Sequence, residues 1–228
     1  GFDTLDLTMI SFAGSLVEID LLNERIEASN GSATYQVITG FETVRGSGGT
    51  ETIRGDDEPN YLSGGMGGDD TIYGNGGNDT IYAATVVSTN DYSIRGGDGE
   101  DLIIGFGGND YLAGDQGNDT LTGGAGSDSM FGNLGDDVIN GGEGADSTVG
   151  NSGNDTIQIS ISQFSGEAET IAGGPDTDQI RFLGAGHFDL TASVIGGIEE
   201  LFFGATDGDF IVDLVDITGP LSGYLWVQ

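Results

Sequence analysis

The sequence predicts an all-β fold, a solenoid of short stacked strands, and three observations predict it. A nine-residue motif recurs along the chain with glycine at its first and fourth positions. Aspartate recurs at the sixth position, and a large apolar residue at the eighth. Neither the 3.6-residue period of a helix nor the simple alternation of a long strand produces that spacing. A strand of about three residues followed by a glycine-rich turn of about six does, and a fixed period of this kind marks a repeat architecture.

In chain order the units begin with a weak copy, VITGFETVR from Val37. GSGGTETIR follows from Gly46, GDDEPNYLS from Gly55, GMGGDDTIY from Gly65 and GNGGNDTIY from Gly74. A degenerate unit, VSTNDYSIR, starts at Val87. Seven copies then run without a gap from Gly96 to Gln158: GGDGEDLII, GFGGNDYLA, GDQGNDTLT, GGAGSDSMF, GNLGDDVIN, GGEGADSTV and GNSGNDTIQ. FSGEAETIA from Phe164 and GGPDTDQIR from Gly173 complete fifteen units over residues 37–181, interrupted only by Gly64 and residues 83–86 and 159–163.

Position 8 reads Val44, Ile53, Leu62, Ile72, Ile81, Ile94, Ile103, Leu112, Leu121, Met130, Ile139, Thr148, Ile157, Ile171 and Ile180, so Thr148 alone is polar. Strand alternation turns that residue inward and its neighbours at positions 7 and 9 outward. One nonapeptide cannot bury one side chain by itself, whereas stacked copies share a narrow continuous core. The outward set includes Tyr61, Tyr73, Tyr82, Tyr111 and Phe131, scattered aromatics that would form a partner- or carbohydrate-binding strip if they aligned. Counting half-turns from Val37 puts all three interruptions on one edge of the stack, where extra residues bulge outward without reversing a strand's facing.

Glycine at positions 1 and 4 lets the turn enter left-handed conformations and lets successive turns approach closely. Several backbone carbonyls can converge there, and Asp at position 6 adds a carboxylate. That all-oxygen set suits a hard cation, calcium more than magnesium because calcium accepts flexible, high coordination. Charge points the same way. The chain has 38 acidic residues against five arginines and no lysine, a formal net charge of −33. Such a chain repels itself unless counter-ions bind specifically, and its acidity alone would read as disorder. The regular apolar positions, within 36% hydrophobic residues, argue for a fold once cations are bound.

The pattern G-G-x-G-x-D-x-U-x, with U a large apolar residue, resembles the RTX, or haemolysin-type, calcium-binding repeats. The stretches GMGGDDTIYGNGGNDTIY and GDQGNDTLTGGAGSDSMF are close matches. The resemblance implies a right-handed parallel β-roll, two nonapeptides to the turn, with flanking β caps. It also implies calcium between turns n and n+2 of one edge. The implied acidic ligands are Asp70, Asp79, Asp101, Asp110, Asp119, Asp128, Asp137, Asp146, Asp155 and Asp178. Those would hold about six to eight calcium ions. The series Asp79, Asp101, Asp119, Asp137 and Asp155 is unbroken, while Tyr92 and Glu169 interrupt the other. Departures stand at position 6 (Glu51, Asn60, Tyr92, Glu169) and at position 4 (Glu58, Asn90, Glu167, Asp176), and those turns are expected to bind calcium weakly or not at all.

Residues 1–36, with DTLDLTMISF and SLVEIDLLNERIEA, resemble the strands that precede such rolls in secreted metalloproteases. Residues 37–181 are the expected roll, and residues 182–228, with longer strands and fewer turn glycines, a β-rich cap or β-helical continuation. The start at Gly1-Phe2-Asp3 reads as an internal cut in a longer chain.

Chemistry of other kinds finds little support. With no cysteine there are no disulfides, thiolate metal sites or cysteine nucleophiles. His187 is the sole histidine, without a partner for a zinc motif or a G-x-S-x-G elbow for hydrolysis, and reads as a cap or surface residue. Adjacent aspartates such as Asp69-Asp70 and Asp136-Asp137 follow from the repeat rather than from a glycosidase pair. Nucleic acid and anionic membrane surfaces are poor partners for this charge, and no apolar run is long enough to insert. The expectation is a calcium-binding structural module of a secreted bacterial protein, with no enzyme site of its own, folding on extracellular calcium after type I export. The alternatives are a surface-layer, adhesin or matrix segment and the accessory module of a secreted protease, lipase or polysaccharide-modifying enzyme. Beyond calcium, the partners to expect are the secretion machinery, a neighbouring domain, surface polysaccharide or another protein.

Overall fold

The computed structural model describes residues 3–6, 17–21, 25–28, 36–37, 41–85, 88–160, 168–184, 186–189, 193–203, 210–213, 217–218 and 225–227. Every regular element among them is a β-strand, and no helix there is long and apolar enough to cross a membrane. Two sheets hold eleven and twelve strands, all parallel except for the antiparallel pairings at one end of the second, and through the repeats the chain alternates between them. A small third sheet pairs Gly186–Asp189 with Phe210–Asp213.

Within the repeats each strand pairs with the strand two units away, not with its sequence neighbour. Ile103 lies beside Leu121 and Leu121 beside Ile139 in the first sheet. Leu112 lies beside Met130 in the second. The position-8 residues thus form two inward columns, and all fourteen apolar ones are at most 3% exposed. Leu121→Ala would leave a void in a core one side chain deep. A loss of about 2–4 kcal/mol is expected, read from urea melts at saturating calcium.

The strands in the regular stretch are longer than the nonapeptide predicts. Leu102–Gly107, Tyr111–Gln116, Thr120–Ala125 and Ser129–Leu134 each hold six residues, because positions 1 to 3 of the next unit join the ladder. That extension needs left-handed backbone at position 2, adopted by Asn75, Asp115, Asn133 and Asn151, whose short polar side chains tolerate it. Phe106 holds the same conformation, φ 75°, with its ring packed on the core.

The interruptions all fall between a strand of the first sheet and the next strand of the second. Gly64 follows Tyr61–Ser63, residues 83–86 follow Thr80–Tyr82, and the third follows Thr156–Ser160. The half-turn count therefore holds, and the stack continues through both larger ones: Ile81 beside Ile103, Ile72 beside Ile94, Ile157 beside Ile180. Two details differ from expectation. Ala83 and Ala84 do not bulge outward but are buried in the core, their methyl groups small enough for the corner between sheets. The last insertion starts after Ser160, since Ile159 and Ser160 still pair with Phe182 and Leu183.

Beyond residue 181 both sheets go on. Glu200–Phe203 and Leu225–Val227 extend the first, Val194–Gly196 and Ile217–Thr218 the second. At the other end Val17–Asp20 lies parallel to Glu51–Arg54 and carries the antiparallel strands Arg25–Ala28 and Gln36–Val37. The aromatics form no single strip. Tyr61 and Tyr82 meet on the first sheet, and Tyr111 and Phe131 on the second, where Arg54 covers Tyr73.

Candidate metal centre

Two rows of aspartates line the edges where the chain crosses between sheets. On the regular edge the backbone N–H of each position-6 residue donates to the Oδ1 of the aspartate one turn on. Asn60 donates to Asp79, Asp79 to Asp101, Asp101 to Asp119, Asp119 to Asp137, Asp137 to Asp155 and Asp155 to Asp178, at 2.8–2.9 Å. The row ends where Asp178 N–H donates to Glu199 Oε2 at 2.9 Å. Each bond closes one turn onto the next, so the carboxylate is part of the stack and fixed in place by it.

The other edge repeats the arrangement with a break. Glu51 N–H donates to Asp70 Oδ1, and Tyr92 N–H to Asp110 Oδ1. Asp110 donates to Asp128, Asp128 to Asp146 and Asp146 to Glu169 Oε2. Tyr92 offers no carboxylate above Asp70, and its side chain is buried in the apolar core instead. That interruption is as expected. At Glu169 the aspartate series ends, as the sequence shows, but the hydrogen-bonded row goes on: the longer side chain still reaches the Asp146 amide, and Glu169 N–H in turn donates to Ser193 Oγ.

The second carboxylate oxygen carries the chemistry. Oδ2 of Asp70, Asp79, Asp101, Asp110, Asp119, Asp128, Asp137, Asp155 and Asp178 is buried without a hydrogen-bond partner. Native interiors rarely leave such an atom alone, because its desolvation goes uncompensated. Burial accordingly pushes the Asp70 carboxyl up to about 8, and Asp79, Asp110, Asp119 and Asp137 up to about 7. Asp101, Asp128 and Asp178 rise to about 6, and Asp155 is raised as well, again by burial. The amide bond at Oδ1 pulls the other way and is outweighed.

Glycine keeps space beside that oxygen. A Cβ at Gly114 would stand 2.2 Å from Asp119 Oδ2, and a Cβ at Gly117, where φ is +131°, would stand 1.7 Å from the Gly99 carbonyl oxygen of the adjacent turn. No three carboxylate or histidine side chains converge among the described residues. A cation here would draw one or two ligands from aspartates and the rest from turn carbonyls. Lone, fixed, anionic oxygens beside glycine carbonyls fit a hard divalent cation and suit no soft metal.

The glutamates differ. Glu51 is satisfied within its own turn by Ser47 Oγ and the Ser47 amide. Neither Glu51, Glu169 nor Glu199 leaves a buried oxygen alone. Glu199 and Ser193 lie outside the nine-residue frame, and only their hydrogen bonds reveal them as the last acceptors of the regular and the interrupted row respectively. His187 falls on the strand Gly186–Asp189, and its side chain lies outside the described residues.

No curated protein matches the chain. A family model does, that of the RTX calcium-binding nonapeptide repeat (4 copies), over residues 45–81, 93–121 and 122–157. The matched blocks carry the aspartates of both rows from Asp70 to Asp155, with Tyr92 between two blocks, and over those residues the chain is built of RTX calcium-binding nonapeptide repeats.

Proposed function

We propose that this chain is a calcium-binding structural module of a secreted bacterial protein, and that it folds on reaching extracellular calcium. One observation carries the reading: a row of buried, unpartnered Oδ2 atoms held in register by the stack itself. Calcium bound there supplies positive charge and high oxygen coordination, and residues of the chain do the rest. Asp79, Asp101, Asp119, Asp137, Asp155 and Asp178 form the ligand row of the regular edge. Asp70, Asp110, Asp128 and Asp146 form that of the interrupted edge.

Residues 37–181 make the calcium roll, residues 1–36 its entry cap and residues 182–228 its exit cap. The role is mechanical rather than catalytic. At the low calcium of a cytosol the rows repel, so the chain stays open for type I export. Outside the cell, cations lock turn to turn.

Native mass spectrometry in calcium buffer tests the binding. About six to eight ions per chain are expected. Asp119→Asn keeps an acceptor for the Asp101 amide but removes the charge, and is expected to lose one or two of those ions. An unchanged ion count in Asp119→Asn, or a chain that binds none, would refute the ligand assignment.

A further inference from the structure

Thr148 is the one polar side chain among the position-8 residues, and it is buried, 3% exposed. It sits in the second sheet between Met130 and Ile171. Three other features coincide at its level. The apolar core divides there, one cluster running from Ile19 to Ile139 and a second from Ile157 to Leu201. A cavity of about 20 Å³, lined by Asp146, Thr148, Ile157, Ile159, Glu169 and Ile171, opens at the start of the second cluster. Both ladders also narrow. Asn133 pairs with Asn151 and Gly124 with Gly142 on the approach, but the pairings of Ser147–Ser152 with Thr170–Ala172 and of Val138–Glu143 with Thr156–Ser160 keep only their three strand rungs.

Thr148 is shorter than both of its neighbours in the ladder, Met130 and Ile171, and leaves space beside the cavity that it lines. Asp146, the aspartate of this turn, is also the one consensus aspartate whose Oδ2 is not left alone. The core divides, a cavity opens and both ladders narrow together at this one level.

We infer that the roll is two cooperative blocks meeting at Thr148, and that the C-terminal block opens first as calcium falls. The inference rests on the calcium reading above. The N-terminal block holds seven of the unpartnered aspartates, Asp70 to Asp137, and the C-terminal block only Asp155 and Asp178. In a linear stack each unit is stabilised by its neighbours, so a weak interface separates cooperative units rather than loosening the whole.

Hydrogen exchange read by mass spectrometry, on the full chain along a series of decreasing free calcium, tests this. Amides of Thr156–Ser160, Gln179–Leu183 and Glu200–Phe203 are expected to lose protection at roughly threefold or more higher calcium than those of Leu102–Gly107 and Tyr111–Gln116. In Thr148→Ile, which fills the void and joins the clusters, the two midpoints are expected to converge. Thr148→Val, nearly isosteric, carries the test if the larger side chain does not fit, and is expected to narrow the gap. A single midpoint in the unmodified chain, or a gap that neither variant changes, overturns the two-block inference while leaving calcium binding intact. Protection that ignores calcium would sink the calcium reading instead. A urea series on the same samples then decides the blocks, two midpoints upholding them and one overturning them.

Discussion

In calcium-free buffer at pH 8 the chain is expected to lose most of its β-sheet circular dichroism, and millimolar calcium is expected to restore it. The physical reason is the aspartate rows. Neighbouring turns in a parallel sheet stand about 4.8 Å apart, and at an effective dielectric near 20 two unscreened charges at that spacing repel by about 3–4 kcal/mol. Each row sums several such pairs, within a chain of formal charge −33. Against this stands a core that gains one apolar side chain per nine residues. A divalent ion between two carboxylates reverses the sign of the interaction and, binding only the folded form, adds its binding free energy to stability. Sodium chloride at the same ionic strength should not substitute. The Debye length at about 0.15 M is about 8 Å, longer than the gap to be screened. Equal β content with and without calcium, or full rescue by sodium chloride, would refute the coupling.

Much of this architecture could be read from the chain alone, and the reason is its period. A residue recurring every nine positions must occupy equivalent places in a stack, so the buried columns from Val44 to Ile180 and the two edges follow from counting. What could not be read is what depends on reach and direction rather than on period. Glu169 and Asp146 look unlike in the motif, yet the longer side chain brings the glutamate oxygen to the Asp146 amide just as Asp146 reaches that of Asp128. Tyr92 occupies an aspartate's place in the frame but turns its ring into the core, where the apolar gain exceeds what a turn position offers. Glu199 closes the regular row from a turn of only Gly197, Ile198 and Glu199, so the nine-residue frame passes over it. The Oδ1 bond itself was invisible, because its donor is a backbone amide that every residue carries. That bond gives the consensus aspartate a structural role beside its proposed role as a ligand, so Asp→Ala and Asp→Asn are expected to differ.

Acid is expected to substitute in part for calcium. The carboxyls of Asp79, Asp110, Asp119 and Asp137 are raised by burial from 3.8 to about 7, and that of Asp70 to about 8. A raised acid binds its proton more tightly when folded than when unfolded. The folded state therefore holds more protons between those limits, and its stability falls as pH rises. The contribution is complete below the unfolded value near 4 and is lost as pH climbs through about 6 to 8. Without calcium, then, β-sheet signal is expected to be substantial at pH 5, still above the isoelectric point of 4.1, and to vanish by pH 8. With calcium the dependence inverts. The ion needs ionised ligands and displaces their protons, so apparent affinity is expected to weaken steeply below about pH 6. Asp119→Asn and Asp137→Asn, neutral at every pH, should flatten the calcium-free profile where the parent loses structure. Circular dichroism across pH 5–8 in EGTA and in calcium measures both limbs. A calcium-free chain equally unfolded at pH 5 and pH 8 would show that the lone Oδ2 atoms do not set its stability, because removing their charge by proton should relieve the repulsion that calcium relieves by binding.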